Sequence, residues 1–97
     1  MTRDENRRAA LLRLDGLLAL LKQKDTGDGV GALIAEGEGL RRAIEAFHFE
    51  AIRFRMFNFD RMLHGAADLP ANAVEIFGQV RADLEAAGFH TGSFGPR

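Results

Sequence analysis

The sequence contains no cysteine, no tryptophan and no tyrosine, and only two prolines in 97 residues. Without cysteine there is no disulfide framework and no thiolate metal site. Hydroxyl side chains are almost as scarce, with Ser93, Thr2, Thr26 and Thr91 the full set. They leave little room for a hydroxyl nucleophile, and no Gly-x-Ser-x-Gly elbow occurs. A charge excess is missing too: the formal net charge is −1. Electrostatic nucleic-acid binders carry a clear basic surplus, so nucleic acid is not an expected partner. No long apolar run exists either. The stretch 11–21 is interrupted by Arg13 and Asp15. It fits neither a membrane span nor a secretory leader, so no membrane partner is expected and a cytoplasmic location is the default.

What is present is ordinary for a globular domain: 46% hydrophobic and 28% charged residues. The length allows one domain with a modest core, because a chain of this size buries roughly 60–70% of its unfolded surface. No segment alternates at period two for long enough to make a strand. The expected fold class is all-α, a three-helix domain built as a helical hairpin plus a third helix. The expected extent is a single helical domain over residues 1–87, followed by a flexible C-terminal tail, 88–97.

The first helix is expected over about 3–24. Thr2 and Glu5 fit a capping box, in which hydroxyl and carboxylate each satisfy an orphan backbone donor. Leu11, Leu14, Leu18 and Leu21 repeat at three and four, with Leu17 beside them, and form one apolar stripe. The next five residues, Asp25-Thr26-Gly27-Asp28-Gly29, read as a turn. Their resemblance to a calcium loop is superficial, because the twelve-residue acidic pattern is not completed. Gly27 to Gly31 likewise lacks the lysine and hydroxyl ending of a phosphate loop.

The second helix is expected from about residue 29 or 30 to His64, with Gly65 as its stop and a kink or break near Gly37 and Gly39. The third is expected over about 70–87, ending at Gly88, with a second capping pattern at Asn72 and Glu75. Ala73, Phe77, Val80, Leu84 and Ala87 make its stripe. The tail is glycine-rich and reads as mobile unless Phe89 or Phe94 docks.

The second helix is the unusual one. Residues 40–63 hold five of the eight phenylalanines. At about 100° per residue, one face carries Leu40, Ile44, Phe47, Ala51, Phe54 and Met62. A second carries Phe49, Ile52, Met56, Phe59 and Leu63. Together they cover more circumference than two neighbouring helices shield. The expected remedy is a second copy, giving a homodimer whose interface is Phe49, Ile52, Met56, Phe59 and Leu63. Phe57 lies on the otherwise polar side with Glu50, Arg53, Asp60 and Arg61, as a scattered surface residue or a contact for the tail.

Between the two faces runs a buried polar line of Arg41, Glu45, His48 and Arg55. Groups so placed must be paired. An i,i+4 ion pair between Arg41 and Glu45 is expected, with Arg55 meeting a carboxylate such as Asp15 or one from the second copy. Glu45 and His48 also match Glu-x-x-His, the spacing that puts a carboxylate and an imidazole on one helical face in carboxylate-bridged metal sites. A dimer would supply the second copy of that motif. Arg41 and Arg55 on the same line oppose a cation. His64 suits a helix C-terminus, and His90 lies in the tail.

These features point to a small helical protein–protein interaction module of adaptor, chaperone-like or regulatory type. It self-associates through the phenylalanine- and methionine-rich second helix, with a further protein partner allowed. No cofactor is called for, and the balance is against an enzyme. The alternative is a metal- or small-ligand-binding helical dimer using Glu45 and His48.

Overall fold

A computed structural model describes residues 2–23, 28–66 and 69–89, without the side chains of residues 28 and 29. They form four helices: α1 (Arg3–Gln23), α2 (Asp28–Glu45), α3 (Phe49–Gly65) and α4 (Ala73–Ala86). No strand occurs among the described residues. The all-α expectation holds. The three-helix expectation does not, because the long second helix is two helices joined at 46–48.

α1 begins as its sequence dictates. Thr2 N–H donates to Glu5 Oε1 at 3.1 Å, and Glu5 N–H donates to Thr2 Oγ1 at 3.1 Å. This reciprocal pair is the capping box. α4 starts later than expected. Ala73 N–H donates to Pro70 O at 3.0 Å, and Asn72 precedes the helix without a side-chain cap. Its end is the expected one. Gly88 has φ 93°, and Phe89 N–H donates to Leu84 O at 2.9 Å. This is a Schellman ending with glycine in the left-handed position.

The break between α2 and α3 uses the same device without glycine. Phe47 has φ 55°. Phe47 N–H donates to Ile44 O at 3.2 Å, and His48 N–H donates to Ala43 O at 3.1 Å. His48 then opens α3: its Nδ1 accepts from Ala51 N–H at 3.1 Å, and its carbonyl accepts from Ile52 N–H at 2.9 Å. One residue closes one helix and caps the next.

Gly37 and Gly39, where a kink was expected, lie inside an unbroken α2. Their role is close approach. A Cβ on Gly37 would stand 2.5 Å from Leu18 Cδ2 and 3.0 Å from Phe59 Cε2. A Cβ on Gly39 would stand 2.9 Å from Arg55 Cζ. α2 is therefore flat where α1 and α3 press against it.

Neighbouring helices run antiparallel, as the cross-helix pairs show. Arg41 reaches Asp15 while Lys22 reaches Glu38 between α1 and α2. Asn6 reaches Ala86 while Arg13 reaches Asp83 between α1 and α4. Phe59 stacks on Phe77, with ring centroids 5.0 Å apart, between α3 and α4. The result is a four-helix arrangement in which α1 packs on α2 and α4, and α3 packs on the same two. Its interior holds Leu14, Leu17 and Leu21 of α1, Leu33, Leu40 and Ile44 of α2, and Val80 and Leu84 of α4. Burial of each such side chain contributes on the order of 1.5–3 kcal/mol. Phe89, just past α4, is 2% exposed and docked. Residues 24–27, with most of the expected turn, and 90–97 of the expected tail lie outside the described residues.

Candidate interaction surface

Ile52, Met56, Phe59 and Leu63 recur at four, three and four along α3, and all are at most 1% exposed within a single copy. This corrects the expected interface. Within a single copy the four side chains fill the bundle interior and offer no exposed face. Phe49, the fifth residue of that set, differs: it is 56% exposed. The physical reason is the bend at Phe47. A single rod would carry two apolar faces on one axis and leave one uncovered. Two rods fold the stripe of α3 back onto α2, with α4 alongside, so one copy covers it by itself.

With the inner stripe fixed, the outer one follows from helical geometry. Glu50, Phe54, Phe57 and Arg61 are spaced by four, three and four, the spacing of a single seam. All four are exposed, Phe54 at 45% and Phe57 at 38%. Acid and base stand at opposite ends, with two aromatic rings between them. Phe54 was expected on an inward face with Leu40 and Ile44. The bend re-aims it, since α2 and α3 share no axis. The seam itself is legible in the spacing of those four residues, once the helix is known to begin at Phe49.

At the bent end of the bundle a second aromatic group forms. The Phe49 ring lies 5.0 Å from that of Phe89, and the Phe47 ring lies 6.1 Å from Phe89. The Arg7 guanidinium sits 4.5 Å above the Phe47 ring. This cation–π contact and the Phe89 contact hold Phe47 in its left-handed conformation.

The expected buried polar line is neither buried nor a line. Arg41 and Glu45 belong to α2, Arg55 to α3, and His48 to the joint, and every one is at least partly exposed. The Arg41–Glu45 pair is present, Nη1 to Oε1 at 2.6 Å. Asp15 meets Arg41, Oδ1 to Nε at 2.6 Å, and so is not the partner of Arg55. Arg55 instead pairs with Glu36, Nη1 to Oε1 at 3.0 Å. The Asp15 hydrogen bond, with help from Glu45 and against some desolvation, holds the Arg41 guanidinium above its ordinary pKa. It stays cationic and clamps α1 to α2.

Glu45 and His48 do not share a helical face, because the helix ends between them. Glu45 Oε1 accepts from Arg41 and His48 Nδ1 accepts from Ala51 N–H. Among the described residues, no group of three or more His, Asp or Glu side chains is placed to hold a metal ion. Within one copy Glu45 and His48 therefore do not form the carboxylate–imidazole pair that their spacing suggests. Nor is any described helix long and apolar enough to cross a membrane. Comparison with protein-family models, curated proteins and solved structures finds no match to this chain.

Proposed function

We propose that the protein is a helical protein–protein interaction module that pairs with a second copy of itself through the outer seam of α3. The observation that carries this reading is the self-complementary order of that seam. A two-fold axis across the middle of α3 sets two seams antiparallel. Glu50 then faces Arg61 of the second copy, Arg61 faces its Glu50, and Phe54 meets its Phe57. Such an isologous interface needs no second surface. The near-neutral charge of −1 opposes association little. Aromatic rings supply adaptable contact area, and the flanking ion pairs set the register. One seam of this length buries far less than the roughly 1,200–2,000 Å² of a standard interface, so the dimer is weak and concentration-dependent.

Light scattering and sedimentation over a wide concentration range test it. The expected result is a rise from monomer to dimer mass, abolished by Phe54→Glu with Phe57→Glu. Arg61→Glu alone should weaken the dimer by placing like charges together, and adding Glu50→Arg should restore it. A monomer mass at every concentration defeats the proposal. So does a dimer that ignores both the aromatic and the charge substitutions.

A further inference from the structure

The joint at 46–48 carries an inference independent of the outer seam. Ala46, Phe47 and His48 include neither glycine nor proline. Yet Phe47 sits at φ 55°, a conformation that β-carbon-bearing residues adopt at a cost. No residue of the joint forbids ordinary helix. If Phe47 relaxes to a right-handed helical conformation, α2 and α3 become one continuous rod over 28–65. The hydrogen bonds lost are those closing α2, from Phe47 and His48 N–H, together with the His48 Nδ1 cap. The ordinary helical ladder replaces them.

The consequence follows from chain order. α1 and α2 are consecutive and antiparallel, and so are α3 and α4. Each hairpin survives the straightening intact. The contacts between the hairpins do not survive within one chain, because a three-residue joint in helical form holds them apart. Those contacts include Arg13–Asp83 between α1 and α4, and Glu36–Arg55 between α2 and α3. The buried face of α3, with Met56 and Phe59, loses its cover at the same time. The partner that restores every one of these contacts is a second copy opened in the same way. We infer that the chain forms a domain-swapped dimer, in which α1–α2 of one copy packs on α3–α4 of the other and Phe47 is the hinge. Short hinges held in strain favour such exchange.

Two substitutions at one position separate this dimer from one made through the outer seam. Phe47→Gly removes the same ring as Phe47→Ala, but glycine accepts the left-handed bend without cost and alanine does not. The swapped dimer relaxes two hinges. Phe47→Gly should therefore lower the dimer-to-monomer ratio by about tenfold or more, and Phe47→Ala should raise it. Size-exclusion chromatography with light scattering reads the ratio after equilibration at high concentration. Circular dichroism melting checks that both variants fold. A cross-link gives a readout free of stability effects. The chain has no cysteine, so Arg13→Cys with Asp83→Cys introduces the only thiols for a short bifunctional thiol reagent. In a swapped dimer the reagent joins two copies, and the isolated dimer fraction runs at twice the chain mass on a denaturing gel. Single-chain mass from that fraction, a shift of both Phe47 variants in the same direction, or no dimer even in Phe47→Ala would each overturn the inference.

Discussion

Phe47 and Gly37 stand in places their neighbours in sequence do not announce. Phe47 occupies the position that glycine fills at Gly88, and it is tolerated because its ring rests between Arg7 and Phe89. Gly37 sits mid-helix, where it costs about 1 kcal/mol relative to alanine in intrinsic propensity. It is retained there because Leu18 and Phe59 occupy the space a methyl group would need. Gly78 is the control, also inside a helix but with nothing within 4 Å of its missing Cβ. Gly78→Ala should therefore stabilise the protein by about 1 kcal/mol. Gly37→Ala should destabilise it by about 1–2 kcal/mol, because overpacking outweighs the propensity gain. Urea unfolding midpoints of the two variants should move in opposite directions, and a common shift would remove the close-approach account of Gly37.

Each helix owes its boundaries to a few hydrogen bonds, and two ends give distinct tests. At the start of α3, His48 supplies the cap to Ala51 N–H. His48→Ala should lower stability by about 1 kcal/mol, and His48→Asn should keep most of it, in thermal or urea unfolding. A loss equal in both variants would show that the cap contributes nothing. At the start of α1, the Thr2 backbone N–H, followed by its hydroxyl, holds the Glu5 carboxyl below its ordinary pKa. A depressed carboxylate gives stability that is present above its unfolded pKa and lost as pH falls through the folded one. The wild type should therefore lose part of its stability between about pH 5 and pH 3. Glu5→Gln should flatten part of that slope while leaving the helix capped by Thr2. Urea midpoints across this pH range check the sign, and parallel curves for the two proteins would contradict it. Asp4, lowered chiefly by its hydrogen bond from Arg7, adds to the same slope in both proteins.

At the scale of the whole molecule, the two sides of α3 have opposite duties. Phe59 is wholly buried, stacked on Phe77 and pressed on Gly37. Phe59→Ala should cost about 3–5 kcal/mol, a large part of the roughly 5–15 kcal/mol that holds such a domain together. Phe57, 38% exposed on the outer seam, should cost much less when changed to alanine, yet should weaken self-association. Guanidinium unfolding and sedimentation of the two variants read these effects separately. Equal losses of stability would erase the distinction between inner and outer stripes.

Much of this architecture could be read from residue order. The leucine stripe of α1, its capping box, and the Gly88 ending and periodic core of α4 are local patterns, set by helical geometry and by backbone groups that need partners within one turn. The Arg41–Glu45 pair is local in the same sense. The bend at Phe47 is not. Its three residues are compatible with helix, and the left-handed conformation there is supported by Arg7 and Phe89, which lie far away in sequence. The same non-local contacts turned Ile52, Met56, Phe59 and Leu63 inward, split the polar line, parted Glu45 from His48 and brought Phe54 to the surface. Sequence by itself determined that the chain is helical and where most helices start and stop, because those depend on neighbours within four residues. Only tertiary structure decided that the middle rod is bent and which of its faces meets solvent, because that depends on distant side chains offsetting the strain of one residue.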